Sequence, residues 1–464
     1  MRVALVRASG RAGVPARVVQ RISPGDLTQL ATDVGPVAMN VAAVLTLDPA
    51  GSPFDIDRAR RELADRVTAI PRLRQRLAPV PWGLGRPVWV DDPAFDPAAH
   101  ITACRCPEPG DQSALLQLAA TEVTQALPRT RPLWRALYVT GLGDGQVGLV
   151  LVLHHVLADG IGGLAVLAAL ADPGASPTHR DLRPAPTLGQ LAADRAASVA
   201  RATRGVPPAL GRLRRARAEL ALERLRLAPR NSLNAPTGAR RHVTVVDVDL
   251  PTVRAAARRH HATVNDVLLV AVTAAMGQLL ADRGEQFPEL VVSVPISART
   301  DATVDQLGNR VGVMPVAVPL LGRLPDRLAQ VATATAAQRE STRAGRGASA
   351  ALIGPAFRTL AAIGAFHWMI DRQRLVNTFL TNLRGPTDPM HIHAATIRSI
   401  TPITITAGNV TTAFAALSYA GTLRVSIITD PHHGPEHARL EAALASVLDQ
   451  LTGDPGPHSS VPSQ

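Results

Sequence analysis

The 464 residues carry a formal charge of +12, and 46% of them are hydrophobic, enough to fill two or three packed cores and too many for a disordered or fibrous chain. All 49 basic residues are arginine, a bias that with abundant Ala, Gly and Pro fits the coding habit of a GC-rich genome and makes the charge a poor sign of nucleic-acid binding. Only 3% of residues are aromatic, and neither a helix-turn-helix signature nor paired zinc ligands occur. Cys104 and Cys106 would share one face of a strand, poorly placed to bridge each other, which suits a reducing cytoplasm.

Residues 1–21 contain five arginines and no acid but lack an apolar run with a cleavage site, so a basic, disordered tail is expected rather than a signal peptide. A first α/β lobe is predicted over 22–172. Within it, strands are expected at Val41–Leu47, Ile101–Cys106, Leu137–Leu142 and Val147–Leu153, and helices at Asp55–Thr68 (continuing toward Pro71–Leu77), Ser113–Ala126 and Gly162–Ala171. Residues 173–240 are rich in Pro, Ala and Arg and read as a linker with helices at Thr187–Thr203 and Ala209–Leu227; the second is either a solvated helix or one that lies on a membrane surface.

A second lobe is predicted over 241–452. It opens with a strand at His242–Leu250 and helices at Thr252–His260 and Val264–Asp282. Strands follow at Leu290–Pro295, Val311–Val318, Phe379–Leu383, Ile397–Ile400, Thr411–Tyr419 and Thr422–Thr429, and Glu436–Leu451 is a closing helix. Ala350–Ile370 is the nearest approach to a membrane span, but Gly354, Pro355, Arg358, Gly364 and His367 interrupt it, so a buried or interfacial helical region is expected. Residues 453–464 read as a frayed tail.

The chemistry concentrates in "HHVLADG", His154–Gly160, at the exit of the apolar run Val147–Leu153. A histidine at a strand-to-loop junction is held by the sheet yet faces a cleft, and its neutral pKa lets it take a proton from a hydroxyl and return it to a leaving group. Asp159 follows four residues after His155, and Gly160 allows a sharp reversal into the next helix. A metal site would need a third convergent ligand, and a serine hydrolase a Gly-x-Ser-x-Gly elbow; neither is visible. The bland alternative is a structural histidine pair capped by an aspartate. His260-His261 and His432-His433 lack the strand-exit context, and "GLGDG" is a hairpin turn rather than a nucleotide loop.

Other segments bear on that choice. "HHVLADG" resembles the His-His-x-x-x-Asp-Gly motif of the CoA-dependent condensing acyltransferases, and its surroundings resemble the bacterial wax ester synthase/diacylglycerol acyltransferase family. "RPLWRALYVTGL" (Arg131–Leu142) looks like that family's Pro-Leu-Trp motif, with Pro132, Leu133 and Trp134 in place, and "VNDVLLVAV" (Val264–Val272) looks like its Asn-Asp motif. "VPISARTD" leading to "LGNRVGVMPVAVPL" (Val294–Leu320), "TNLRGP" (Thr381–Pro386) and "ALSYAGTLRVSIITD" (Ala416–Asp430) are similar to its second-lobe core, Gly-Pro turn and closing hairpin. The likeness runs in matching order from Leu27 to Leu451. One departure is Asn40 in "VAMNVAA", where the family commonly has histidine.

The resemblance implies an α/β fold of two chloramphenicol-acetyltransferase-like lobes with mixed sheets, joined by a helical linker and enclosing a tunnel. It implies acyl transfer from long-chain acyl-CoA, a substrate, to diacylglycerol or a fatty alcohol, with no metal or prosthetic group, in a cytoplasmic protein peripherally attached to membrane or lipid droplets. His155 would be the base and His154 would shape its loop, while Asp159 would brace the loop against Arg299, with Gly160 part of the same support. Asn265 is a candidate oxyanion donor or helix N-cap, with Asp266 fixing it. Trp134 is expected to be a packing anchor. The alternatives are another alcohol or amine acceptor, or a catalytically silent lipid- or acyl-CoA-binding scaffold.

Overall fold

A computed structural model of the chain describes residues 19–51, 53–172, 184–204, 227–297, 311–343 and 350–453. Its strands are β1 (Asn40–Asp48), β2 (Gln75–Ala78), β3 (Val88–Asp91), β4 (Ile101–Arg105), β5 (Trp134–Thr140), β6 (Val147–His154), β7 (His242–Asp249), β8 (Glu289–Ser297), β9 (Val311–Pro319), β10 (Thr378–Arg384), β11 (His391–Ile392), β12 (Ala395–Ile403), β13 (Thr412–Tyr419) and β14 (Thr422–Thr429). The helices are α1 (Pro24–Ala31), α2 (Ile56–Ala69), α3 (Gln112–Thr124), α4 (Gly160–Leu170), α5 (Leu188–Arg204), α6 (Leu250–Arg259), α7 (Val264–Asp282), α8 (Leu324–Arg343), α9 (Ala350–Ala362), α10 (Phe366–Ile370) and α11 (His437–Thr452).

Two six-stranded mixed sheets form, in the orders β11-β12-β1-β6-β5-β4 and β7-β14-β13-β10-β8-β9. In the first, β4 and β5 are parallel and the other neighbours antiparallel; in the second, β10 runs parallel to both β13 and β8. This is the expected two-lobed α/β fold. β6 is central, and all eight of its residues are buried, which is why it reads as an unbroken apolar run rather than an alternating one. In the second lobe α7 is buried along most of its length between that sheet and α11. It is the one described helix long and apolar enough to cross a membrane, and its packing identifies it as a core helix.

The lobes are not consecutive blocks of chain. β12, from the second half, pairs with β1 from Ala42↔Ile403 to Asp48↔Thr396, so a single boundary near residue 241 does not separate the two sheets. The turn between β11 and β12 is fastened to the first lobe: the His393 ring lies 2.7 Å from the Tyr138 hydroxyl and 2.8 Å from a Glu62 carboxylate oxygen, and the Ala394 N–H donates to Asp172. The helix expected to continue toward Leu77 instead stops at Ala69. Pro71 opens a single 3₁₀ turn, and β2 follows, because proline cannot supply the amide that a continuing helix needs. The linker helix expected at Ala209–Leu227 lies outside the described residues except for Leu227.

Candidate active site

The β6–α4 junction is held by backbone bonds to two other segments and by one within itself. The His154 N–H donates to the Leu133 carbonyl at 3.0 Å, the His155 N–H to the Met39 carbonyl at 2.8 Å, and the Leu157 N–H to the His154 carbonyl at 2.8 Å. Trp134, at the start of β5, is fully buried, donates its indole N–H to the Leu73 carbonyl at 2.5 Å and stacks on His100. Pro132-Leu133-Trp134 is therefore a packing anchor whose middle carbonyl holds the first motif histidine.

The two motif histidines have different environments. Both ring nitrogens of buried His154 are spent: Nε2 donates to Asp33 Oδ2 at 3.1 Å, and Nδ1 accepts the Val156 N–H at 3.0 Å. This fixes one tautomer and leaves no lone pair for a substrate. Asp33 also accepts from the Met39 N–H at 2.9 Å and from Arg129 at 2.8 Å. Burial alone would raise its pKa, but these bonds and the His154 ring override it and hold the carboxyl at about 2. Asp33 thus ties together His154 and the loop whose Met39 carbonyl holds His155. Sequence reasoning missed it, since only the Asn40↔His154 register brings its loop to the motif.

His155 lines a cavity of about 90 Å³ at the lobe interface. Burial is the main influence on its ring and pushes the pKa below the ordinary value, while a hydrogen bond to its own backbone and the Asp159 charge act in the opposite direction. The cavity walls are almost wholly apolar: Val41 and Ala43 on β1, Leu151 and Leu153 on β6, Leu164 and Leu167 on α4, Ile400 and Ile403 on β12, and Ala415 and Leu417 on β13.

Asp159 is the N-cap of α4, its Oδ1 accepting the Gly162 N–H at 2.8 Å. Its expected partner, Arg299, lies outside the described residues. At Gly160 a Cβ would fall 2.7 Å from Leu383 Cδ2, so the missing side chain lets α4 approach β10 of the other lobe. Gly160, Leu164, Thr381 and Leu383 also border a second, wider cavity of about 910 Å³, which carries exposed Arg254 and Arg384 and the "TNLRGP" turn. The apolar chamber at His155 therefore abuts an arginine-bearing one.

The "VNDV" segment corrects an expectation. The N-cap of α7 is Thr263, not Asn265, and Asp266 completes a capping box by accepting the Thr263 N–H and hydroxyl at 2.8 and 2.7 Å. Asp266 also accepts the Thr335 hydroxyl of α8 at 2.7 Å, so it fixes Thr263 and α8 rather than Asn265. Asn265 is partly exposed and borders neither cavity, whereas its neighbour Val264 lines the wider one. Asn40 is buried away from the cavities, and its amide donates to the Val123 and Gln125 carbonyls at the end of α3, a structural duty.

The chain matches the wax ester synthase/diacylglycerol acyltransferase catalytic domain over residues 22–268 and the C-terminal domain of the same family over 307–452. A Mycobacterium tuberculosis protein named as a probable diacylglycerol O-acyltransferase is 30% identical over 412 residues, covering 85% of this chain and 87% of that one. In fold it is similar to the wax ester synthase/diacylglycerol acyltransferase of Marinobacter aquaeolei VT8, with a TM-score of 0.67 at 22% identity over 93% of this chain and 98% of that one. It is also similar to the first condensation domain of the calcium-dependent antibiotic synthetase, with a TM-score of 0.62 at 18% identity over 95% and 98%.

Proposed function

The chain belongs to the wax ester synthase/diacylglycerol acyltransferase family, and from that premise we propose that His155 is the general base of its acyl transfer, with His154, Asp33, Asp159 and Gly160 holding the base in place. The protein is an acyltransferase that moves an acyl group from acyl-CoA to diacylglycerol or a long-chain alcohol. The observation that carries the assignment is the contrast between the two motif histidines: His154 has both ring nitrogens engaged, and His155 faces an apolar cavity.

In the reaction the acceptor oxygen attacks the thioester carbonyl as its proton passes to the His155 ring. The tetrahedral adduct then collapses, the C–S bond breaks, and the imidazolium returns the proton to the departing thiolate, so ester and free CoA leave a neutral histidine. The depressed His155 pKa keeps the ring unprotonated at neutral pH, as the first step requires. The apolar chamber suits the acyl chain and the lipid acceptor, and Arg254 and Arg384 of the wider chamber suit the phosphates of CoA. Asn265, which borders neither chamber, is left out of the chemistry. We propose that the reaction takes place at a lipid surface, because both the acceptor and the product are insoluble in water.

The test is to incubate purified protein with palmitoyl-CoA and either hexadecanol or diacylglycerol, following free CoA and ester. Ester formation that disappears in His155→Ala is expected. Equal ester yield from His155→Ala would overturn the assignment, and acyl-CoA binding without turnover would favour a silent scaffold.

A further inference from the structure

Acyl transfer through a tetrahedral adduct needs a second group besides the base: a hydrogen-bond donor that meets the charge gathering on the carbonyl oxygen. Asn265 borders neither chamber and is badly placed to supply it. A thioester whose acyl chain lies in one chamber and whose CoA lies in the other must put its carbonyl where the two meet. Four residues border both chambers: Gly160 and Leu164 of α4, and Thr381 and Leu383 of β10. Of these only Thr381 carries a side-chain donor. The apolar chamber has one other hydroxyl on its wall, Thr404 just after β12, and it does not border the wider chamber.

The strand delivers Thr381 to that junction. Thr381 and Leu383 share one face of β10, and Leu383 is the residue that a Cβ at Gly160 would meet at 2.7 Å, so this face looks onto the start of α4. β10 pairs with β13 from Phe379 to Arg384, with Thr381 opposite Ala415, itself a wall of the His155 chamber. On its other side, among the described residues, β10 pairs with β8 only at Thr378 and Phe379, so the two strands have parted where Thr381 stands. Pro295 of β8 and Thr381 both border the wider chamber. Three residues earlier on the same strand, buried Thr378 spends its hydroxyl on the Thr412 carbonyl at 2.8 Å. The hydroxyl of half-buried Thr381 has no hydrogen-bond partner among the described residues.

We infer that the Thr381 hydroxyl is the oxyanion donor of the reaction, an inference that rests on the acyltransferase reading. As the acceptor oxygen bonds to the carbonyl carbon, the C=O π pair moves onto the carbonyl oxygen, and the Thr381 O–H donates to that oxygen when it is most negative. When the adduct collapses the pair re-forms C=O as the C–S bond breaks. Thr381 keeps its proton throughout, because the one proton transferred travels through His155. The apolar walls around the junction leave this bond little water to compete with. The base comes from the end of β6 in the first lobe and the donor from β10 in the second, so neither lobe holds a complete site.

The experiment is turnover of palmitoyl-CoA with hexadecanol and with diacylglycerol by the full-length protein carrying Thr381→Val, Thr381→Ser or Thr404→Val. Binding of S-hexadecyl-CoA, a thioether that lacks the carbonyl, is measured alongside. Thr381→Val keeps the branched shape and removes the donor, so kcat should fall about a hundred- to thousandfold while KM for palmitoyl-CoA, affinity for the thioether and melting temperature stay near wild type. Thr381→Ser should recover most of the rate, and the acid limb set by His155 should not move in either variant. A Thr381→Val rate within about threefold of wild type, or a loss that falls on Thr404→Val instead, would overturn the donor and leave acyl transfer standing. So would a loss matched by weaker thioether binding, which marks a packing role. Wild type that makes no ester from either acceptor would overturn the acyltransferase reading itself, and the donor with it.

Discussion

Of the three histidine pairs that lead into a helix with an acid in or before its first turn, two make the sharpest contrast: His154-His155 before Asp159 and α4, and His260-His261 before Asp266 and α7. The first pair ends a buried strand, and two other segments, the Asp33–Met39 loop and Leu133, fix its backbone and one of its rings, leaving His155 facing a cavity. The second pair unwinds the end of surface helix α6: His260 and His261 donate their N–H groups to carbonyls of that helix, and His261 takes a left-handed φ of 50° in the open. The two aspartates differ too. Asp159 caps α4 at the cavity wall, whereas Asp266 is enclosed by Thr263, Thr335 and Arg339. The element that delivers a dipeptide, more than the dipeptide itself, decides whether it can do chemistry.

The sharpest way to break this contrast is His155→Ala, expected to lower kcat about a hundred- to ten-thousandfold with an unchanged unfolding midpoint, as read by CoA release and denaturant titration. Next is Asp33→Ala, which releases the His154 ring and the Met39 loop together; kcat should fall by up to about a hundredfold, with KM for acyl-CoA little changed. Asp33 also has a pH signature. Its folded pKa is depressed to about 2, so its stabilisation is present above the unfolded value of about 3.9 and is lost as pH falls toward 2; Asp33→Asn should flatten that part of a stability-versus-pH curve.

For His155 itself, the acid limb of kcat/KM should lie below the ordinary histidine value of about 6.5, since only the unprotonated ring accepts the acceptor's proton. On the other side of the contrast, Asp266→Ala should cost about 2 kcal/mol of stability through the lost capping box and buried bonds, with far less effect on the turnover of the folded enzyme than His155→Ala. The smallest effect belongs to His261→Gly, which relieves a left-handed backbone and should shift stability by under about 1 kcal/mol with no change in kcat.

What the sequence made legible follows from how local the cause is. The expected span of α7 matches the observed helix at both ends, because a long apolar run closed by an Asp-Arg-Gly exit is a local signal. β14 and β6 were readable for the same reason, as continuous apolar or β-branched segments between turns. By contrast α8 was not expected: "QVATATAAQRE" has little amphipathic contrast, and the helix is held partly by Thr335 and Arg339 reaching Asp266 on α7. At the active site, the motif histidine and its cavity-facing position could be anticipated from the strand exit. Asp33 could not, because its role depends on a strand register that joins segments 121 residues apart. The cap of α7 was misplaced by two residues because Thr and Asn are both good caps, and only the reciprocal bond to Asp266 selects between them.

The pairing of β12 with β1 also orders events during synthesis. Ile400 and Ile403, which help wall the chamber at His155, lie near the end of a segment made some 240 residues after the motif itself, so the first sheet stays open at β1 while most of the chain emerges. An exposed edge of Val44, Leu45 and Leu47 is a natural template for the wrong strand. Nascent chains halted before residue 403 should therefore be prone to aggregate and dependent on chaperones, and chains that pass it should close the sheet and become resistant to protease in the same step.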